Sequence, residues 1–189
     1  MKTGESGMPE ESLWKGFFDP TEVLNALGLN RDTRRVVDFG SGYGTFSLPA
    51  AGMIEGEVIG LDIEPDLIDL CRRKAREAGL GNARFECWDF VAEGSGLEDS
   101  SVDYAMLFNI LHAEQPEILL NEAQRILAPG GTLAVMHWSY DKKTPRGPAM
   151  DIRPRPEDCR KWVEACDFVA LSPMISLPPW HYGFTAKAK

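Results

Sequence analysis

Features that mark several common classes of protein are missing from this sequence. It has no apolar run long enough to cross a membrane and no signal-peptide pattern, so we expect a cytoplasmic protein without a membrane partner. The four cysteines form no C-x-x-C pair, which argues against zinc or thioredoxin-like chemistry and favours free thiols in a reducing compartment. No metal-ligand set, internal repeat or low-complexity segment is evident, so the sequence predicts no metal site.

Positive charge is also scarce. The 189 residues include 20 Lys and Arg against 29 Asp and Glu, which gives a formal net charge of −9 at pH 7. An acidic surface repels phosphate backbones, so we expect no nucleic-acid partner. The apolar fraction of 43% and the length suit one domain with one sizeable core. Oligomeric state is not encoded in any of these quantities.

Apolar residues alternate between strand-like and helix-like patterns from residue 35 onward. Strands are predicted at 35–39, 57–62, 83–87, 101–108, 132–138, 169–177 and 181–187. Helices are predicted at 45–51, 66–78, 116–127 and 155–166, after two short N-terminal helices, one over 9–18 and one that begins at Asp19-Pro20 and ends before Gly28. Alternating units predict an α/β fold with a doubly wound, mostly parallel sheet, and the short last connection makes the C-terminal strands an antiparallel hairpin.

The most informative segment spans residues 36–44 and has the sequence VVDFGSGYG. An apolar run contains an acid, Asp38, and three glycines follow at alternate positions: Gly40, Gly42 and Gly44. This pattern predicts a buried strand that turns tightly into a helix, where a ligand can approach the backbone closely. The dinucleotide fingerprint G-x-G-x-x-G needs glycine at Thr45 instead, and a carboxylate here repels a pyrophosphate but attracts an ammonium group.

A second segment, residues 120–133, ends a helix and passes through a predicted tight turn at Pro129-Gly130-Gly131 into the next strand. With the glycine segment, it resembles class I S-adenosylmethionine (SAM)-dependent methyltransferases over roughly residues 35–138, in the branch of the quinone C-methyltransferases and arsenite methyltransferases. The resemblance implies a Rossmann-like fold with seven strands, helices on both faces of the sheet, SAM as cofactor and S-adenosylhomocysteine (SAH) as product. It also implies the first cofactor contacts: Asp38, Gly40, Ser41, Gly42 and Gly44.

Further contacts are expected at the carboxyl ends of the next two strands, because ligands bind there in such sheets. Asp62 offers two acceptor oxygens to ribose hydroxyls, and Ile63 can pack on the adenine ring. The resemblance implies that Asp89 accepts from the adenine amino group and that Phe90 lies beside the ring. The simpler alternatives are a helix-capping role for Asp62 and a solvated loop position for Asp89.

Strand four ends beside Asn109 and His112, where the family's methionyl group and methyl acceptor meet. Asn109 is a candidate cofactor contact, and His112 and His137 are candidate proton acceptors. The alternative for His112 is a surface or helix-start histidine. The Asn/Asp-Pro-Pro-aromatic turn of nucleic-acid amino-methyltransferases does not occur here, which argues against methylation of a nucleic-acid base. The chain is short for the family and has no large insertion between strands, which favours a small-molecule acceptor.

The segment after strand five has no clear periodicity and concentrates cations in an otherwise acidic protein: Lys142, Lys143, Arg146, Arg153 and Arg155. It can bind an anionic substrate, form a lid, or remain solvated with its arginines paired to acids. Near the N-terminus, three aromatic residues either cover the cofactor or pack in the core: Trp14, Phe17 and Phe18.

We therefore expect a single domain with an N-terminal helical cap (1–30), a SAM-binding core (31–138), a substrate loop or lid (139–154) and a C-terminal helix with a β-hairpin (155–189). The predicted function is in-line methyl transfer from SAM to a small molecule, achieved mainly by positioning. Two alternatives stay open on the sequence: a non-catalytic SAM- or SAH-binding protein, and an NAD(P)-dependent oxidoreductase.

Overall fold

A computed structural model of the chain describes residue 11 and residues 16–189. The helices are α1 (Pro20–Ala26), α2 (Ser47–Met53), α3 (Pro65–Glu77), α4 (Pro116–Ile126) and α5 (Pro156–Ala165). The strands are β1 (Arg35–Phe39), β2 (Glu57–Asp62), β3 (Ala83–Cys87), β4 (Val102–Phe108), β5 (Leu127–Trp138), β6 (Ile175–Leu177) and β7 (His181–Lys187). Within these ranges, no helix combines the length and apolar character that a membrane span requires.

The seven strands form one sheet in the order β3-β2-β1-β4-β5-β7-β6. Strands β1 to β5 run parallel, and β7 is antiparallel to both β5 and β6. The order reverses between β1 and β4, so their carboxyl ends diverge into loops and leave a crevice there. This architecture confirms the predicted doubly wound sheet with its antiparallel C-terminal strands.

The sheet is buried on both faces because its strands alternate in the direction of their side chains. On one face, Val37, Leu107 and Val135 pack against apolar residues of α4 and α5. On the other face, Val36 and Met106 pack against α1 and α2. Asp38 belongs to this second face, which places a carboxyl group inside an otherwise apolar layer.

Helix α1 begins and ends where the sequence predicts. The Asp19 carboxylate accepts hydrogen bonds from the amides of Thr21 (2.8 Å) and Glu22 (3.1 Å) and so caps the first turn. Gly28 adopts a positive φ of 80° directly after the last turn, as a helix-terminating glycine does. The helix predicted over residues 9–18 lies largely outside the described residues, and so does Trp14.

Two predicted boundaries in the second half of the chain are wrong. The Pro129-Gly130-Gly131 segment is part of β5 instead of a turn before it, and it forms an irregularity where the β4–β5 register shifts between Val102 and Tyr104. The predicted strand over 169–177 is reduced to β6 and an isolated bridge between Val169 and Lys187. Pro173 lacks an amide hydrogen and interrupts the pairing between these two points.

Candidate active site

A cavity opens at the carboxyl ends of β1, β2 and β4, at the reversal of strand order. Nine of the ten predicted cofactor contacts line it: Asp38, Gly40, Ser41, Gly42, Asp62, Ile63, Asp89, Phe90 and Asn109. His112 lines the same cavity, next to Phe108 and Trp138. The two remaining candidates, Gly44 and His137, lie behind the wall.

The glycine turn that floors the cavity is held by backbone and side-chain hydrogen bonds. The amides of Gly40 and Ser41 both donate to the Leu61 carbonyl at 2.9 Å. The Gly42 amide donates to Asp62 Oδ2 at 2.8 Å, and the Gly42 carbonyl accepts from the Cys71 thiol at 3.2 Å. Burial raises the pKa of this thiol to about 12, so it keeps the proton that it donates.

Gly44 is not among the residues that line the cavity and has a packing role, while its contact with the cofactor stays a prediction. A Cβ atom at this position would lie 2.9 Å from Leu48 Cδ1 and 3.1 Å from Cys71 Sγ, and φ is +74°. Glycine therefore lets α2 and α3 approach the turn, while the cavity is lined by the glycines before it.

Two acids stand side by side at this floor. Asp38 is 3% exposed, and its Oδ2 accepts from Ser47 Oγ at 2.5 Å. Burial, with a smaller contribution from Asp62, raises the pKa of Asp38 to about 7, although the Ser47 bond opposes the shift. Burial also raises the pKa of Asp62, whose second oxygen, Oδ1, accepts from the Glu64 amide at 3.0 Å. Each carboxylate retains acceptor capacity for a ligand.

Three polar side chains of the cavity wall have buried atoms without hydrogen-bond partners among the described residues. They are Ser41 Oγ, Asn109 Oδ1 and both ring nitrogens of His112. Asn109 also adopts a left-handed φ of 56°, an uncommon conformation for a side-chain-bearing residue that often marks a functional site. Unpartnered buried polar atoms are costly, which indicates that a polar ligand completes this wall.

A further part of the cavity wall, formed after β2 and β3, carries apolar side chains. Ile63 and Phe90 belong to it, and Phe90 is held edge-to-face by Phe39 at 5.4 Å between ring centroids. Asp89 is half-buried and accepts from the Ala92 amide at 3.1 Å through Oδ1. Trp88, which the sequence did not single out as a contact, also lines this part. These residues suit a flat heteroaromatic ring with one polar edge.

All three histidines of the chain lie at or behind the part of the cavity wall that contains Phe108, His112 and Trp138, which we call the acceptor end. His112 is 8% exposed, and its ring stands 5.6 Å from that of His137, centroid to centroid. Burial and the charge of Arg153 lower the pKa of His112 to about 4 and that of His181 to about 3. The pKa of His137 is lowered well below its usual value, again mainly by burial. All three imidazoles are therefore neutral at pH 7.

The loop at 139–154 is organised around the Arg153 side chain. Arg153 Nε donates to the Pro148 carbonyl (3.0 Å), and Nη1 donates to the Ser139 carbonyl (3.0 Å) and to Thr144 Oγ1 (2.5 Å). Longer contacts join Nη1 to the Asp141 carbonyl (3.4 Å) and Nη2 to the Arg146 carbonyl (3.2 Å). Among the described residues, none of the five cations in and beside this loop forms an ion pair.

With this geometry established, similarity to known proteins decides the family. The sequence profile of a methyltransferase-domain family matches residues 30–168, which is most of the chain. The chain belongs to the class I SAM-dependent methyltransferases. This membership confirms the predicted family and, with it, SAM as the family's cofactor, and it decides against the dinucleotide alternative.

Individual relatives support the same family. A ribosomal protein L11 methyltransferase of Deinococcus radiodurans is 34% identical over 118 residues, which are 59% of this chain and 41% of that protein. A demethylmenaquinone methyltransferase of Thermus thermophilus is 32% identical over 114 residues, 59% of this chain and 50% of the relative. The chain thus spans about half the length of these curated relatives.

The fold has a close counterpart among solved structures. The crystal structure of a SAM-dependent methyltransferase from Aquifex aeolicus superposes with a TM-score of 0.82 at 22% sequence identity, over 92% of this chain and 91% of that one. The sequence identified Arg153 only as one of five cations and did not predict its burial, because its side-chain-to-backbone bonds leave no periodic pattern. It also missed His181, whose place beside Trp138, 4.1 Å between ring centroids, follows only from the β5–β7 register.

Proposed function

We propose that this family member transfers a methyl group from SAM to a small-molecule acceptor bound in the same cavity. The observation that carries the proposal is that one cavity is lined by two buried carboxylates, Asp38 and Asp62, and by three polar side chains whose buried atoms lack hydrogen-bond partners among the described residues. Buried acids of this kind are stabilised by a cationic, hydrogen-bonding ligand, and SAM carries an ammonium group, a sulfonium and ribose hydroxyls.

The residues of the cavity fit the parts of this cofactor. Asp38 and Asn109 Oδ1 offer acceptors for an ammonium group, Asp62 offers acceptors for hydroxyls, and Asp89 with Phe90 suits a purine. When bound, SAM supplies a sulfonium methyl group that a nucleophile displaces in line. The chain's own contribution is to hold the acceptor close to that group and to exclude water from it.

Aromatic residues form the water-excluding wall. Phe18 stacks on Phe46 at 5.2 Å between ring centroids, and Phe46 meets Phe108 edge-to-face at 4.7 Å. Phe17 packs edge-to-face against Trp138 at 5.2 Å. Phe17 and Phe18 therefore pack in the core against residues of the cavity wall, and we propose that they also help to cover the cofactor.

Proton transfer, where the acceptor requires it, falls to His112. Its ring lines the cavity and its lowered pKa keeps a nitrogen free to accept a proton at neutral pH, although it makes the ring a weak base. His137 is fully buried behind His112, so it can take part in proton transfer only through His112. Positioning is thus the main catalytic device that we propose, with His112 as the acceptor's hydrogen-bond partner.

A small acceptor is favoured because the reacting end is buried. His112 and Trp138 are 8% and 2% exposed, so an acceptor has to enter the cavity to reach them. One relative is named for demethylmenaquinone, a small molecule, and another for ribosomal protein L11. The depth of the site favours the first kind of acceptor.

Calorimetric titration with SAM, SAH and NAD tests the cofactor assignment. We expect SAM and SAH to bind and NAD not to bind. Asp62→Ala should weaken SAM binding at least about tenfold, because it removes charge-assisted hydrogen bonds. Asp66→Ala is the matched control, since Asp66 is exposed on the first turn of α3. Uptake of NAD, or equal SAM affinity in the Asp62 variant, would overturn the assignment.

Turnover separates an enzyme from a binding protein. A panel of small metabolites is incubated with SAM and assayed for SAH release and for methyl incorporation into the acceptor. Transfer to a panel member that is abolished by His112→Phe and retained in a surface variant supports the proposed reaction. SAM binding without transfer to small molecules or to added protein would favour the non-catalytic alternative.

A further inference from the structure

A buried cation lies at the acceptor end of the cavity. Arg153 is 7% exposed, and its guanidinium bonds only to carbonyl and hydroxyl oxygens of its own loop. Asp141 is the acid that interacts electrostatically with Arg153. Asp141 is exposed, however, and its Oδ1 accepts a hydrogen bond from the Lys143 amide at 2.8 Å. The charge of Arg153 is therefore not neutralised by an ion pair within the described residues.

Gly147 brings this cation against the cavity wall. A Cβ atom at Gly147 would lie 2.8 Å from Trp138 Cγ and 2.9 Å from Arg153 Nη2, so the indole and the guanidinium flank the same backbone atom. Trp138 lines the cavity on its other side. Trp138 thus adjoins both the cavity and the Arg153 side of Gly147, and the charge of Arg153 is close enough to lower the pKa of all three histidines.

His112 provides the contact that Arg153 cannot make. Its ring lines the cavity and is nine-tenths buried, and its nitrogens make no well-formed hydrogen bond among the described residues, although the Asn109 backbone interacts with the ring. A neutral imidazole presents one N–H donor and one acceptor. The donor can bind an anionic oxygen, while the field of Arg153 acts on that oxygen through a medium of low dielectric.

The glycine turn and the acceptor end therefore differ in charge. Carboxylates line the cavity at the glycine turn, and the Arg153 guanidinium lies behind the acceptor end. We propose that the acceptor end selects a small organic anion, with a carboxylate or an ionised hydroxyl, through His112 as its contact and Arg153 as a positioning residue. This inference rests on the proposed function in so far as the anion is the methyl acceptor. A cationic amine would be repelled by Arg153 and by the sulfonium of the cofactor.

Four probes of similar size test this selection. Benzoate is an anion, benzamide is neutral, benzylamine is a cation, and 4-nitrophenol reports its ionisation by its colour. Dissociation constants are measured from imidazole NMR signals with saturating SAH and again without it. We expect benzoate to bind at least about tenfold more tightly than benzylamine, and 4-nitrophenol to bind as the phenolate. Benzoate should also raise the pKa of His112, because an adjacent anion favours the imidazolium.

Three variants separate charge from loop structure. Arg153→Met should reduce the preference for benzoate over benzylamine to about twofold or less, whereas Arg155→Met removes the same charge from an exposed neighbour and should leave the ratio unchanged. Arg153→Lys keeps the charge but loses the forked geometry, so it should bind both probes more weakly with the ratio retained.

The outcomes distinguish this inference from the proposed function. Equal binding of benzoate and benzylamine to the unmodified chain, or the same ratio in Arg153→Met and Arg155→Met, would overturn anion selection even where SAH binds. Failure to bind SAH, with benzoate preference intact in its absence, would instead overturn the proposed function and leave the selection standing.

Discussion

Asp38 shows at the scale of one residue how binding and folding make opposite demands. Its carboxyl group lies inside an apolar layer, close to Asp62, and is bonded to Ser47. Burial disfavours its ionised form, yet a cationic ligand needs that form. The pKa of about 7 therefore places this carboxyl group at the edge of ionisation.

SAM affinity should depend on this ionisation. As the pH falls from about 8 to about 5, Asp38 takes up a proton and the dissociation constant should rise by up to about tenfold per pH unit below pH 7. Calorimetry across this range measures the effect. Asp38→Asn should flatten the dependence and Asp66→Asn should preserve it. A constant affinity in the unmodified chain would show that Asp38 does not bind the ligand.

Stability should change in the opposite direction. A raised carboxyl pKa means that the folded state loses stability as the pH rises from the unfolded value of about 4 through about 7. Asp38→Asn should therefore increase the free energy of unfolding of the ligand-free protein by about 2–4 kcal/mol at pH 8, and by almost nothing near pH 4. Urea unfolding at both pH values measures this, and a loss of stability at pH 8 would contradict it.

At the scale of secondary-structure elements, the glycine turn is held by α3 as much as by its own strand. Cys71 donates to the Gly42 carbonyl, and Lys74 Nζ donates to the Tyr43 carbonyl at 3.0 Å and contacts Glu11 at 2.7 Å. The turn is therefore part of the packing between α2 and α3, and a side chain that separates these helices should disturb the cofactor site.

Gly44→Ala tests this coupling. The added methyl group meets Leu48 and Cys71, and the residue keeps a φ of +74°, so the free energy of unfolding should fall by about 1–3 kcal/mol. Gly52→Ala is the matched control, because that glycine is helical with no atom within 4 Å of the added group, and it should stabilise by about 0.5–1 kcal/mol. Equal effects of the two variants would refute the packing role.

The sequence predicts elements well where pattern and turn chemistry agree. The runs at β1, β2 and β3 keep their predicted limits, and the glycine turn, the strand ends and the family resemblance together select nine residues that line the cavity. Prediction from sequence fails where pairing between segments distant in the chain decides the structure. Gly130 donates to the Ala188 carbonyl at 3.0 Å, and this bond joins the Pro-Gly-Gly segment to the sheet. The roles of Arg153 and Gly147 likewise depend on their packing beside Trp138, which the sequence does not predict.

At the scale of the whole molecule, the cavity joins loops that follow β1, β2, β3 and β4 with the last residue of β5, so a ligand links segments distant in sequence. SAH at about 100 times its dissociation constant should raise the free energy of unfolding by about 2.7 kcal/mol. Thermal unfolding should then shift upward by several degrees, and at the same SAH concentration this shift should fall to about half or less in Asp62→Ala but persist in Arg153→Met. A comparable shift with NAD would contradict the cofactor assignment.

The position of β7 has a consequence for how the protein is made. Although β7 follows the other six strands in sequence, it lies between β5 and β6, and its Phe184 and Ala186 are buried. A nascent chain that still has residues 181–187 inside the ribosome leaves the edge of β5 open, with His137 and Trp138 uncovered. The acceptor end of the cavity can therefore be completed only after these residues emerge, and until then the exposed β5 edge is a target for chaperones.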